Sequence, residues 1–228
     1  MSGKVMSDYP MGDKTEWLVD RPAERPAHWF LFAHGAGAPM DSDFMQALAE
    51  LLAARGVGVV RFEFPYMAER RVNGGRRPPN KMEVLLASFQ AQIDRVHAEL
   101  QPGALFVGGK SMGGRVASML AQDNFDRGKV AGAVCLGYPF HPQGKPEKLR
   151  TEHLQAMTCP TLVVQGTRDR LGNRDEVAGY GLSAAVECHW LEDGDHDFKP
   201  RRASGFSQRQ HWESAAERAV SFMRARGL

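Results

Sequence analysis

One stretch constrains this chain more than any other. Residues 104–107, Ala-Leu-Phe-Val, form an apolar run that leads into Gly109-Lys110-Ser111-Met112-Gly113, and an Ala- and Leu-rich segment over residues 116–122 follows. The order is strand, sharp turn, helix, the setting in which G-x-S-x-G marks a nucleophile elbow. Such an elbow holds its Ser in a strained backbone conformation, and a Cβ at the flanking glycines would crowd the neighbouring strand and helix. The turn lifts the hydroxyl above the sheet edge, beside a helix N-terminus whose N–H groups favour developing negative charge.

Gly109-Lys110-Ser111 also resembles the end of a phosphate-binding loop, G-x-x-x-x-G-K-[ST]. That motif needs Gly at position 104, where this chain has Ala104, and Gly103 comes one residue too early. The intervening Leu105, Phe106, Val107 and Gly108 are mostly apolar strand, not a loop that wraps phosphates.

Around this unit, apolar strands alternate with helical patterns. Residues 15–19 read as a short edge strand after a flexible tail over 1–14, and residues 29–33 as a buried strand ending in His34-Gly35-Ala36-Gly37-Ala38. A helix over 41–54 buries Phe44, Leu48, Leu51 and Leu52, and a strand over 57–64 stops at Pro65. Residues 66–80 read as a long Arg-, Gly- and Pro-rich connection, and 81–100 as a helix with Val84, Leu85, Phe89, Ile93 and Val96 on one stripe. Further strands are expected at 130–136, 161–165 and 186–191, an irregular segment at 139–157, one or two helical turns at 173–180 and a closing helix at 210–225. The pattern predicts one α/β domain spanning residues 1–228, a mostly parallel sheet with helices on both faces. In such folds chemistry lies beyond the carboxyl ends of the strands.

Asp169 follows the strand at 161–165 and His196 the strand at 186–191, so Ser111, Asp169 and His196 share that edge. A Ser hydroxyl needs a base to take its proton as it attacks, and neutral imidazole does so near neutral pH. A carboxylate holds the imidazole in the right tautomer and stabilises the imidazolium. Asp175, Asp195 and Asp197 compete for the acid's role, and His34, in the glycine loop, suits bracing backbone better than catalysis. Backbone N–H groups of Met112 and Ala36 are the expected oxyanion-hole donors. No His, Cys, Asp and Glu grouping has metal-ligand spacing, so neither a metal nor a cofactor is expected.

His34-Gly35-Ala36-Gly37, the G-x-S-x-G, Gly166-Thr167-Arg168-Asp169 and Gly194-Asp195-His196 resemble the four marker loops of the alpha/beta-hydrolase superfamily, over about residues 28–225. More narrowly, Gly108 to Arg115, Phe64-Pro65-Tyr66-Met67 and Arg76-Arg77-Pro78-Pro79 resemble the branch that includes testis-expressed protein 30 and the hydrolase-like domain of a nonspecific-lethal complex subunit. Dienelactone hydrolases are similar more distantly; they use a Cys nucleophile where this chain has Ser111. The resemblance implies an alpha/beta-hydrolase fold and a serine hydrolase of carboxylester or thioester bonds, with a scaffold that binds without turnover as the other reading. Residues 139–157 stand where larger members insert a lid and are too few for a domain, so the lid is minimal and a long lipid chain is not expected.

Arg70, Arg71, Arg76 and Arg77 fall in one loop on the edge of Ser111, and Lys110 precedes it, so these five are the expected contacts of an anionic small-molecule substrate. A net charge of +2 does not suggest a nucleic-acid partner. No 18-residue apolar run predicts a membrane span, the first ten residues lack a signal-peptide core, and the three cysteines fit buried thiols in a reducing compartment, so a cytoplasmic protein is expected.

Overall fold

Among the described residues, seven strands make one sheet in the order β1-β3-β2-β4-β5-β6-β7. The computed structural model describes residues 16–226, so the tail expected over 1–14 lies outside the described residues. The strands are β1 (Leu18–Asp20), β2 (His28–Ala33), β3 (Val57–Phe62), β4 (Ala104–Lys110), β5 (Gly132–Leu136), β6 (Thr161–Gly166) and β7 (Val186–Leu191). Only β1 runs antiparallel, against β3; the other pairings are parallel. The helices are α1 (Asp43–Ala53), α2 (Pro65–Asn73), α3 (Met82–Leu100), α4 (Met112–Asp126), α5 (Glu152–Gln155), α6 (Arg174–Val177) and α7 (Gln208–Arg224).

Alternation along the strands sends side chains to two cores, one on each face of the sheet. Leu31, Val107, Cys135 and Val163 meet Phe89 and Ile93 of α3 and Val116 and Ala117 of α4. Phe30, Phe32, Phe106 and Val164 meet Leu48 and Leu52 of α1 and Ala219 and Phe222 of α7. Phe44, expected inside α1's core stripe, is only partly buried; Met45 takes the buried place beside it.

The chain passes from β3 across β2 to β4, so the strand order reverses between β2 and β4. Crevices at such a switch point bind ligands in open α/β sheets. Here the loop after β2 is the His34–Ala38 glycine loop, and the turn after β4 carries Ser111.

Two local expectations change. The connection over 66–80 is not irregular throughout, because residues 65–73 form α2. β3 ends at Phe62, two residues short of the expected end at 64, and Pro65 opens this helix at its first turn, where its missing N–H costs nothing. The Asn80 side chain accepts the Tyr66 N–H at 2.9 Å, satisfying a donor the helix leaves free. The edge strand lies slightly later than expected, where Leu18, Val19 and Asp20 pair with β3 and Asp20 meets Arg61. Between β5 and β6 the only helix is the four-residue α5, so no lid domain stands there.

Candidate active site

Ser111 sits at φ 51°, ψ −114° between the last residue of β4 and the first of α4. A non-glycine residue there costs on the order of 1–3 kcal/mol and persists only when its surroundings over-determine it. They do so through the glycines. A Cβ on Gly109 would lie 2.6 Å from the Ala33 carbonyl oxygen, and one on Gly113 would lie 2.6 Å from both the Ala33 and His34 carbonyl oxygens. The Ser111 N–H donates to the Leu136 carbonyl at 2.9 Å, tying the turn to β5.

His196 reaches the turn from the loop after β7. Its Nε2 lies 2.9 Å from Ser111 Oγ and its Nδ1 lies 2.8 Å from Asp169 Oδ2. Asp169 is fully buried, which an ionised carboxylate tolerates only when its oxygens are satisfied. Oδ2 accepts from Gln165 Nε2 at 2.9 Å as well as facing His196, and Oδ1 accepts the Leu171 N–H at 2.9 Å. The competing acids are placed otherwise. Asp195 Oδ1 accepts the Asp197 and Lys199 N–H groups of its own loop, Asp197 pairs with Lys110, and Asp175 lies exposed in α6.

Gln165, fully buried at the end of β6, did not stand out in the sequence. Its amide nitrogen also donates to the Tyr138 and Gly172 carbonyls, and its amide oxygen accepts the Tyr138 N–H at 2.7 Å. It thereby fixes Asp169 to the segments after β5 and β6. The available signal was a polar residue near the end of the apolar run Thr-Leu-Val-Val.

The glycine loop is braced from behind. His34 is buried; its Nε2 accepts the Phe64 N–H at 3.1 Å, so its Nδ1 carries the hydrogen that meets the Gly35 carbonyl at 2.6 Å. Burial lowers the His34 pKa, in keeping with that neutral form. The Tyr66 hydroxyl donates to the Ala36 carbonyl at 3.0 Å. Among the described residues no hydrogen bond engages the backbone N–H of Ala36 or of Met112.

The five basic residues expected to contact substrate divide. Lys110 is 7% exposed and turns inward: its ammonium donates to the His196 carbonyl at 2.7 Å and pairs with Asp197 at 3.1 Å. Arg71 is held by both oxygens of Asp41 and by Glu63, and Arg77 pairs with Glu69 at 2.9 Å. Arg70 and Arg76 make no ion pair among the described residues; Arg70 lines a small cavity of about 170 Å³ with Pro39, Glu63, Met67 and Arg71. No helix among the described residues is long and apolar enough to cross a membrane.

The model of the alpha/beta hydrolase domain family matches residues 26–224. Among solved structures, an alpha-beta serine hydrolase homologue from Coxiella burnetii is 19% identical over 98% of this chain and 99% of its own, with a TM-score of 0.66. A dienelactone hydrolase from Anabaena variabilis is 18% identical over 93% and 92% of the two chains, with a TM-score of 0.68. A serine hydrolase without lid from Xanthomonas campestris is 16% identical over 89% and 88%, with a TM-score of 0.60.

Proposed function

The chain belongs to the alpha/beta hydrolase domain family, and from that premise we propose that it is a serine hydrolase of carboxylester or thioester bonds, working through an acyl-enzyme on Ser111. The observation that supports this most is the hydrogen-bonded series Ser111 Oγ, His196, Asp169 at 2.9 and 2.8 Å. As Ser111 Oγ attacks the substrate carbonyl carbon, its proton passes to His196 Nε2, and Asp169 stabilises the imidazolium. The carbonyl oxygen takes the negative charge and accepts from the Met112 and Ala36 N–H groups. Collapse breaks the bond to the leaving group, which takes the proton from His196. A water then repeats the attack with His196 as base, releasing the acid and restoring Ser111.

The reading extends to a small, anionic substrate. Arg70 and Arg76 keep their charge free of ion pairs among the described residues, while Lys110, Arg71 and Arg77 hold position first. The short segment between β5 and β6 leaves little to cover a long acyl chain. The Gly108–Arg115 and Arg76–Pro79 motifs favour the testis-expressed protein 30 branch of the family. The free thiols of Cys135, Cys159 and Cys188 favour the cytoplasm.

Rapid mixing with a short-chain p-nitrophenyl ester tests the reading. An acyl-enzyme predicts a nitrophenolate burst of about one equivalent before steady turnover, absent in Ser111→Ala. Undiminished turnover in that variant, or no hydrolysis of any ester or thioester by the parent, refutes it; the latter outcome would leave a binding scaffold.

A further inference from the structure

A cavity of about 480 Å³ lies between α4 and the segment joining β5 to β6, lined by Arg115, Met119, Leu149, Arg150, Glu152 and His153. Its position follows from the helix. Arg115 is four residues after Ser111 and its N–H donates to the Ser111 carbonyl at 3.0 Å. It therefore sits one turn along the same face, about 6 Å further on, and helical side chains lean back toward the N-terminus, here toward the nucleophile.

The cavity's charge is unbalanced. Arg115 and Arg150 are close enough for each guanidinium to feel the other, yet neither makes an ion pair among the described residues. The Arg115 Nε is buried with no hydrogen-bond partner. Glu152, the acid on the rim, is exposed and pairs with neither. His153 adds no charge at neutral pH, because burial, reinforced by Arg115, pushes its pKa down to about 4. The Ser118 hydroxyl donates to the Arg115 carbonyl at 2.9 Å, so it accepts the hydrogen on His153 Nε2. Two like charges held together with an unsatisfied donor raise the energy of the empty cavity, and an anion lowers it.

Both arms stand on fixed backbone. Arg115 is helical, and Arg150 is tied at both ends of its peptide: its N–H donates to the Phe140 carbonyl at 2.8 Å and its carbonyl accepts the Tyr138 hydroxyl at 2.9 Å. The backbone therefore needs no rearrangement for binding; the side-chain arms are what an anion would order.

We infer that Arg115 and Arg150 form an anion-recognition site one helical turn from Ser111, taking a carboxylate or phosphate group of the substrate. This adds to Arg70 and Arg76 a second pair of basic residues, outside the 66–80 connection, and its link to catalysis rests on the hydrolase reading above.

Calorimetric titration of inorganic phosphate and of succinate, neither of which carries an ester to hydrolyse, into the parent, Arg115→Gln and Arg150→Gln tests the site without turnover. The parent should bind at least one of the two, and each variant should weaken that binding about tenfold or more, the loss expected for a charge-assisted contact. Which anion binds tells phosphate from carboxylate. Binding of neither by the parent, or equal binding by the variants, overturns the site. In parallel, the ratio of kcat/KM for a succinyl hemiester to that for a matched neutral ester should fall about tenfold in Arg150→Gln; an unchanged ratio with both esters turned over overturns the subsite. Anion binding lost in the variants, with neither ester hydrolysed by the parent, leaves the anion site standing and removes the hydrolase reading instead.

Discussion

The Lys110 ammonium donates to the carbonyl oxygen of His196 at 2.7 Å, so the residue before Ser111 holds the backbone of the residue whose Nε2 faces the Ser111 hydroxyl. The contact is shielded: Lys110 is almost fully buried, lies over the Phe44 ring, and would meet a Cβ on Gly137 at 3.1 Å. Burial lowers the Lys110 pKa, while Asp197 opposes that by favouring the charged form. These contacts suit Lys110 to a positioning role rather than substrate contact. Lys110→Met should lower kcat by about 10- to 100-fold with little change in KM, the scale of a misplaced catalytic group. An unchanged kcat, or a loss confined to KM, contradicts the role.

Two glycines of the site should respond in opposite ways. A Cβ on Gly113 would press into two carbonyl oxygens at 2.6 Å, so Gly113→Ala should destabilise the fold by about 1–3 kcal/mol or more, read as a drop in Tm. A Cβ on Gly35 would meet Ser111 Cβ at 3.7 Å, an ordinary contact. Gly35→Ala should keep its Tm but lose kcat/KM, because the added methyl packs against Lys110 Cγ at 3.5 Å and Ser111 Cβ at 3.7 Å, beside the hydroxyl. Equal Tm losses in both variants would show that Gly35 serves only the turn.

Asp169→Asn should cut turnover by about 10⁴-fold, through the wrong His196 tautomer, as in other triads of this type. Asp195→Asn should leave turnover near the parent value, since its carboxylate bonds the N–H groups of its own loop. Steady-state rates with one ester decide; the reverse ranking would mean that the acid is misassigned.

His153 gives a pH signature. Its pKa in the folded protein is about 4 against an ordinary value of 6.5, so the unfolded chain binds the extra proton between those values. Its contribution to stability is complete above about pH 6.5 and is lost as pH falls toward 4. Melting of the parent and His153→Gln at pH 7 and pH 5 should show the smaller pH dependence in the variant. Burial also lowers the pKa of His34 and His189, so a residual dependence is expected. Identical slopes in the two proteins contradict the placement of His153.

Much of this molecule was legible in its sequence because hydrophobic periodicity and glycine punctuation carry local information. The strands β2, β6 and β7 lie within a residue of where apolar runs ended in turn residues, β4 runs three residues past Val107 to Lys110, and Ser111, Asp169 and His196 meet at the strand ends where the pattern put them. What was not legible depends on partners distant in the chain. Lys110 looked like a free cation until β7's loop brought the His196 carbonyl to it. The pairing of Arg71 with Asp41 needs a residue 30 positions earlier. Gln165 looked like an ordinary strand end, though its amide joins Tyr138, Asp169 and Gly172. Helix α2 was hidden because Pro65 ends a strand as readily as it begins a helix.

The central claim is that Ser111 is an activated nucleophile, and covalent labelling reads it most directly. Treatment with a fluorophosphonate, followed by intact-mass measurement and peptide mapping, should add one phosphonyl group to Ser111 in the parent and none to a folded Ser111→Ala protein. A parent that stays unmodified, or a Ser111→Ala variant labelled as fast as the parent, would contradict the account.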